Sequence, residues 1–286
     1  MRMSRWIVLL VIAQGLAGAA CGEHGSVAPA ATAPSPVTVT PPPNGFLSMR
    51  GTVSDTAFRS LAGARVEVLD GPQAGLSTTA DSRGEFSLSG AFDDATRFRA
   101  TKDGHVTATR TLQPFCAACN PNRWINFSLE VLAPPVNMAG DYIVTFMADS
   151  ACTTLPNEVR TRTYAATIPL APNSVPANAY VSVPLSGASF YKYFNDLSMG
   201  VAGDYVGFWL EVLVEQIAPN TFLSFGGLAY ASIGTSDRST IAFPFDGEIL
   251  YCVTKPEGRF EDCFQGVVAV RTPCTSKNHQ LILTRR

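Results

Sequence analysis

Charged residues are scarce in this sequence. Asp, Glu, Lys and Arg together make up 15% of the 286 residues, whereas an average soluble domain has about 25%. The 21 basic residues are balanced by 23 acidic ones, which gives a net charge of -2. Proteins that bind nucleic acid through its phosphates need a clear positive excess. The sequence therefore excludes nucleic acid as the main partner.

The sequence patterns of long helices are also missing. Heptad repeats and an excess of Ala, Glu, Lys, Leu and Arg, which coiled coils and helical bundles need, do not occur. Instead the chain has 23 Gly and 20 Pro, and its hydrophobic content of 46% excludes disorder over most of the length. With Thr, Ser, Val and Phe abundant, the composition predicts an all-β protein.

Motifs of common active sites and metal sites are absent too. Histidine occurs three times, and only His105 and His279 lie outside the N-terminal region. No Gly-x-Ser-x-Gly nucleophile motif is present. The segment 81–85 is better explained as a tight turn than as a calcium loop, because Arg83 stands where a ligand belongs. We expect no catalytic residue, no cofactor and no metal, and hence a protein that is not an enzyme.

The N-terminus has the pattern of a secretory signal peptide. Arg2 and Arg5 precede an apolar run from Trp6 to Ala20. This run is shorter than the roughly 20 residues that a membrane-spanning helix needs. We therefore expect residues 1–20 to be removed during export.

The segment Leu16-Ala-Gly-Ala-Ala-Cys21 resembles the lipobox of bacterial lipoproteins. The resemblance implies that Cys21 is lipidated, becomes the new N-terminus and anchors the protein to a membrane. Gly18 stands where that family prefers Leu, so ordinary cleavage after Ala20 is the alternative. With lipidation, we expect an outer-membrane lipoprotein of the bacterial cell envelope, facing the periplasm or the cell surface.

Six cysteines remain once Cys21 is assigned to the lipid. In an exported protein the first expectation for an even number of cysteines is a set of disulfides. Sequence proximity favours three pairs among the 15 possible connectivities: Cys116 with Cys119, Cys252 with Cys263, and Cys152 with Cys274.

Composition divides the mature chain into three parts. Residues 21–45 consist mainly of Ala, Pro, Ser, Thr and Val with almost no charge, which predicts an extended tether. Residues 46–133 form a first folded unit that ends before paired prolines, because prolines cannot join a strand ladder. Residues 134–286 form a second unit that is long enough to have its own core.

Alternating apolar residues predict strands in the first unit. Ala64, Val66 and Val68 alternate with polar residues, as do Phe86 with Leu88 and Phe98 with Ala100. Turn residues separate these runs at intervals of 8 to 15 residues, with no helical stretch between them. The pattern predicts a small antiparallel β-sandwich.

Four motifs in this unit carry a family resemblance. They are Gly51-Thr-Val53, Leu61-Ala-Gly-Ala-Arg-Val-Glu-Val68, Thr79-Ala-Asp-Ser-Arg-Gly-Glu-Phe86 and Phe98-Arg-Ala-Thr-Lys-Asp-Gly-His105. In this order they resemble the carboxypeptidase regulatory-like domain. The resemblance implies a seven-stranded, transthyretin-like β-sandwich, grouped with carbohydrate-binding-like folds, that acts as a non-catalytic accessory module.

The second unit contains eight or nine apolar or alternating runs. Short loops join consecutive runs, which favours a meander. The two candidate folds are an antiparallel up-and-down β-barrel of the lipocalin type and a second β-sandwich.

Aromatic residues are the one feature that suggests a ligand. Tyr191 and Tyr193 fall on one face of a predicted strand over 190–194, and Trp124 and Trp209 are the tryptophans of the mature chain. Flat aromatic faces stack on sugar rings or on protein partners. We expect a surface-interaction or carbohydrate-binding module, with these four residues as stacking candidates. The alternatives are a lipocalin-like carrier of a small apolar ligand and an accessory part of carbohydrate or peptide processing.

Overall fold

A computed structural model describes residues 46–111, 123–170, 180–234, 239–265 and 268–286. Their regular secondary structure is nearly all β, with 61% of the residues in strands, as the composition predicts. None of the helices in these ranges is long and apolar enough to cross a membrane. The predicted signal peptide, Cys21, the tether and the Cys116–Cys119 pair lie outside the described residues.

The first seven strands form a β-sandwich. Their bounds are β1 Phe46–Asp55, β2 Arg65–Val68, β3 Ser77–Thr79, β4 Glu85–Phe92, β5 Arg97–Thr101, β6 Ala108–Thr111 and β7 Arg123–Leu129. One sheet has the order β4-β1-β7 and the other the order β3-β2-β5-β6. Strand β1 runs antiparallel to β4 and parallel to β7. This is the seven-stranded sandwich that the family resemblance implies.

The core of the sandwich lies between the two sheets. The predicted alternation is confirmed, since every apolar residue of the three predicted runs is buried: Ala64, Val66, Val68, Phe86, Leu88, Phe98 and Ala100. Phe127 on β7 contributes the facing side chain, with its ring 6.1 Å from that of Phe86. One face of each sheet is therefore apolar, and the other remains available at the surface.

The second unit is a closed barrel of eight strands. These are β8 Gly140–Met147, β9 Thr161–Ile168, β10 Val181–Ser186, β11 Asp196–Ala202, β12 Tyr205–Ala218, β13 Thr221–Ser232, β14 Thr240–Thr254 and β15 Val268–Arg285. Each strand pairs antiparallel with the next, and β15 pairs with β8 to close the barrel. A 3-10 turn, Asn157–Val159, and a short helix α1, Asp262–Gln265, lie in its loops. Of the two candidate folds, the barrel is the observed one.

Aromatic rings meet across the inside of the barrel. Phe146 on β8 stacks on Phe225 of β13 with ring centroids 4.5 Å apart, although these strands are not neighbours in the sheet. Tyr164 on β9 and Phe245 on β14 pack edge-on against Phe146. All four rings are fully buried. The barrel is therefore closed across its middle by side chains, whereas a lipocalin-like carrier needs an open lumen there.

A buried carboxylate joins two strands inside the barrel. Glu215 on β12 accepts hydrogen bonds from the guanidinium of Arg162 and from the hydroxyl of Tyr164, with 2.8 Å between the tyrosine oxygen and the carboxylate. Burial and the adjacent carboxylate raise the pKa of Tyr164. The charge of Glu215 is fully partnered, so we assign this cluster a structural role.

Two disulfides cross-link the barrel. Cys152 bonds to Cys274 over a sequence separation of 122, and Cys252 bonds to Cys263 over a separation of 11. Both pairs agree with the connectivity that sequence proximity favours. Disulfides persist in oxidising compartments, so they fit an exported protein.

Candidate functional site

The four predicted stacking residues do not form one site. Trp124 lies on β7 of the sandwich, and Trp209 lies on β12 of the barrel. Both indoles are well exposed, at 54% and 44%. Tyr191 and Tyr193 lie in the connection between β10 and β11, next to a different part of β12.

The predicted strand over 190–194 is wrong. After Phe190 the chain makes a turn in which Lys192 takes a positive φ of 53°. The side chains of residues 191–193 therefore do not alternate between two faces as they would in a strand. Tyr191 packs on the Phe222 ring at 5.3 Å and donates a hydrogen bond of 2.9 Å to Glu261. Tyr193 is 92% exposed. Tyr191 is therefore part of the packing around α1, and the two tyrosines do not share a binding face.

Trp209 lines a groove on the outside of the barrel. The groove has a volume of about 770 Å³ and is lined by Phe58, Trp209, Gly227, Leu228, Tyr230, Pro244, Asp246 and Lys277. Three aromatic rings and two apolar side chains thus surround one open space at the surface. Apolar and aromatic walls with a few polar groups are typical of ligand-binding clefts.

Strand register determines which residues reach the groove. Trp209, Leu228 and Asp246 lie directly opposite one another on β12, β13 and β14, and all three point outward. The adjacent row, Phe208, Ala229 and Phe245, is buried in the barrel. Because side chains alternate along a strand, burial of this row in the core places Trp209, Leu228 and Asp246 on the outside of the barrel.

The sandwich supplies the remaining aromatic wall. Phe58 belongs to a turn after β1 and takes a positive φ of 65°. Its ring lies 6.3 Å from that of Trp209, tilted by 58°. The groove therefore lies where the two β units meet, a common position for binding sites.

A buried aspartate holds this turn in shape. Asp55 is fully buried and accepts hydrogen bonds from the backbone N–H groups of Ala57 and Arg59, at 2.9 and 3.0 Å. The Arg59 guanidinium pairs with the same carboxylate and stacks over the Tyr205 ring of β12 at 3.4 Å. These contacts set Phe58 in place before any ligand arrives.

Two glycines on the barrel allow the turn to approach. A Cβ at Gly207 would collide with the carbonyl oxygen of Ala57, and one at Gly200 with that of Thr56. Gly207 also lies opposite Tyr230 in the β12–β13 ladder. The bare backbone at Gly207 therefore makes room for the wall that Phe58 forms.

One end of the groove is polar. Asp246 and Lys277 extend from β14 and β15, with 3.9 Å between the ammonium nitrogen and a carboxylate oxygen. Both side chains are mostly exposed, at 58% and 84%, so water screens their attraction and leaves them able to bond to a ligand. The groove thus combines flat apolar walls with one acceptor and one donor.

His279 is buried and structural. Its Nδ1 accepts a hydrogen bond from the backbone N–H of Asp149 at 2.9 Å, and its Nε2 lies 3.3 Å from the carbonyl oxygen of Cys274. Burial lowers the pKa of His279, which favours the neutral ring. One of its ring nitrogens and the sulfurs of Cys152 and Cys274 lie within 4.8 Å of one another. The sulfurs are joined in the disulfide and the ring nitrogens are engaged, so this cluster is packing rather than a metal site.

Turn chemistry explains the 81–85 segment, as predicted. One carboxylate oxygen of Asp81 accepts hydrogen bonds from the backbone N–H groups of Arg83 and Glu85, at 2.8 and 2.9 Å. Gly84 takes a positive φ of 74°. The turn joins β3 to β4 and needs no ion.

Sequence reasoning missed most of the groove. Tyr230 could have been found, because it alternates with the buried Ala229 on an apolar strand. Phe58 carries no comparable signal, because its position depends on contact between segments far apart in the chain. Of the predicted residues, only Trp209 lies in the groove.

Comparison with known proteins gives little functional information. No protein of curated function matches this sequence. One matching solved structure is that of a protein of unknown function from Bacteroides fragilis, provisionally described as membrane-associated. It is 10% identical, the match covers 84% of this chain and 97% of that chain, and the TM-score is 0.23, too low to indicate a shared fold.

The family match concerns the sandwich. Its strands from β1 to β7 form the two sheets that surround one core. Residues 48–129 match the carboxypeptidase regulatory-like domain, which supports the resemblance for this part of the chain.

Proposed function

We propose that this protein is an exported, non-catalytic carbohydrate-binding module of the bacterial cell envelope. In this proposal Cys21 carries the lipid that anchors it to the outer membrane, and residues 21–45 hold the folded part away from the membrane. The groove around Trp209 binds the glycan. No nucleic acid and no cofactor take part.

The observation that supports carbohydrate binding is the aromatic groove. Pyranose rings have apolar C–H faces that stack on aromatic rings, and Trp209, Tyr230 and Phe58 offer such rings. The carboxylate of Asp246 can accept from sugar hydroxyls, and Lys277 can donate to them. The groove is also held in shape by the Asp55 turn, which lowers the entropy cost of binding.

The alternatives fit less well. A carrier would need space where Phe146 and Phe225 stack across the barrel. A glycoside hydrolase would need two carboxylates facing the substrate, and Asp246 is the single acid among the described residues that line the groove. A protein partner could also use the aromatic surface, and the following experiment separates that case.

Trp209→Ala should weaken glycan binding at least tenfold, because it removes the largest stacking surface of the groove. Binding of the native protein, found on a glycan array and quantified by calorimetry, should be weak and nearly independent of salt, since stacking and hydrogen bonds to exposed groups dominate.

Tyr193→Ala is the matched control, since Tyr193 is the most exposed aromatic residue in the part of the chain that the structure describes and lies outside the groove. It should leave binding unchanged. Equal binding by native protein and Trp209→Ala would refute the groove as the glycan site. An array without hits would favour a protein partner, to be sought by copurification from membranes.

Cys21→Ser should release the protein from membranes. If Cys21 is acylated, the native protein partitions into the detergent phase and the membrane fraction, whereas the variant appears as a soluble or uncleaved species. Ser26→Ala in the tether is the control and should partition like the native protein. Unchanged partitioning of Cys21→Ser would contradict lipid anchoring.

A further inference from the structure

A second pocket lies on the sandwich, where residues of β1, β4 and β7 meet residues of β3 and of the turn that follows it. Its volume is about 370 Å³, and it is lined by Arg50, Gly51, Thr78, Thr79, Asp81, Glu85, Phe86, Ser87 and Trp124. None of these residues belongs to the barrel, so this pocket is separate from the groove around Trp209.

Strand register places a cation beside an aromatic ring in this pocket. Arg50 on β1 lies directly opposite Ser87 on β4 and directly opposite Trp124 on β7. The three side chains therefore form one row across the sheet. Ile125, the neighbour of Trp124, points into the core, so the indole faces outward.

The Trp124 ring is held in a fixed orientation. Its indole N–H donates a hydrogen bond of 2.5 Å to Oδ1 of Asn126, and the same oxygen accepts from the Thr52 hydroxyl at 2.8 Å. The polar atom of the ring is satisfied within the sheet. What remains for a ligand is the flat face of an indole that is 54% exposed.

Arg50 is the pocket's available cation. The two acids of the pocket are engaged by Arg83, at 3.3 Å from Glu85 and 3.9 Å from Asp81. Arg50 is exposed and makes no ion pair with any residue that the structure describes. A guanidinium with free donors binds a carboxylate through two parallel hydrogen bonds.

From this arrangement we infer that the sandwich has its own site for an acidic saccharide, in which Arg50 binds the carboxylate of a uronic acid and Trp124 stacks on its ring. The hydroxyls of Ser87, Thr78 and Thr79 line the same pocket and can bond to sugar hydroxyls. The site differs from the Trp209 groove, where a lysine and an aspartate stand together. It does not depend on glycan binding in that groove.

The test measures binding of trisaccharides of galacturonate and of glucuronate to the full mature protein by calorimetry, with the neutral galactose and glucose trisaccharides beside them. At least one acidic trisaccharide should bind at least tenfold more tightly than its neutral counterpart, and the difference should shrink as salt increases. Arg50→Gln should remove the preference, and Arg50→Lys should retain part of it. Trp124→Ala should weaken binding at least tenfold, and Trp124→Phe by less.

Trp209→Ala is the control that separates the two sites, because it should leave binding of the acidic trisaccharide unchanged. Circular dichroism and thermal unfolding should show that each variant is folded. The inference is overturned if neither acidic trisaccharide binds, if neutral trisaccharides bind the Trp209→Ala variant equally well, or if Arg50→Gln keeps the preference. Loss of acidic binding in Trp209→Ala would assign the acidic ligand to the groove instead.

Discussion

Replacing both Cys152 and Cys274 by serine should lower the free energy of unfolding by about 5 kcal/mol. The bridge closes a loop with a sequence separation of 122. In the chain-entropy account, a disulfide stabilises by restricting the unfolded chain, and a loop of this length corresponds to about 5 kcal/mol at 25 °C. Urea unfolding followed by tryptophan fluorescence would measure the change.

The second disulfide provides a matched control. Cys252 and Cys263 are separated by only 11 residues, so replacing both by serine should cost less, about 3 kcal/mol. Equal losses for the two double variants would mean that loop length does not determine the effect. Non-reducing peptide mapping of the native protein should find both bridges and no bridge between Cys116 or Cys119 and the barrel.

Phe225→Ala should lower the free energy of unfolding by about 3 to 5 kcal/mol, the range for truncating a buried aromatic ring. Phe225 is fully buried and stacks on Phe146 across the barrel. The substitution would leave a cavity in the middle of the barrel, where neighbouring strands cannot easily collapse. Chemical unfolding of the native and variant proteins gives the comparison.

Tyr193→Ala serves as the control because it removes an aromatic ring that is almost fully exposed. It should change the free energy of unfolding by no more than about 0.5 kcal/mol. A loss below about 1 kcal/mol for Phe225→Ala would show that the barrel tolerates an empty centre. That result would revive the carrier alternative.

Local pattern predicts the strands well but not the closure of the barrel. The runs containing Val66 and Phe98 alternate with period 2, and one face of each is buried as expected. Whether the strands after residue 134 close on themselves depends on pairing between β15 and β8, which are far apart in sequence. A barrel and a sandwich can have the same alternation, so the sequence leaves both open.

The groove was predictable only in part for the same reason. Trp209 can be recognised in the sequence because tryptophan is rare in this chain and because this one lies in an apolar run. Phe58 contributes because a short turn of the sandwich fits against Gly200 and Gly207 of the barrel, and no local pattern encodes that fit. For Tyr191 and Tyr193 the sequence predicts a shared face that does not exist. Their spacing suggests one face of a strand, but the turn with its positive φ at Lys192 separates them.

Closure of the barrel by its last strand determines the order in which the chain can fold. The seam joins β15, Val268–Arg285, to β8, Gly140–Met147. All strands of the sandwich precede those of the barrel in the chain, so they can pair before β15 has been synthesised. The barrel cannot close until β15 is available to pair with β8, and non-local pairing of this kind is slow. During that interval the edges of β8 and β14 that pair with β15 are open, so the incompletely folded chain is exposed to edge-to-edge aggregation.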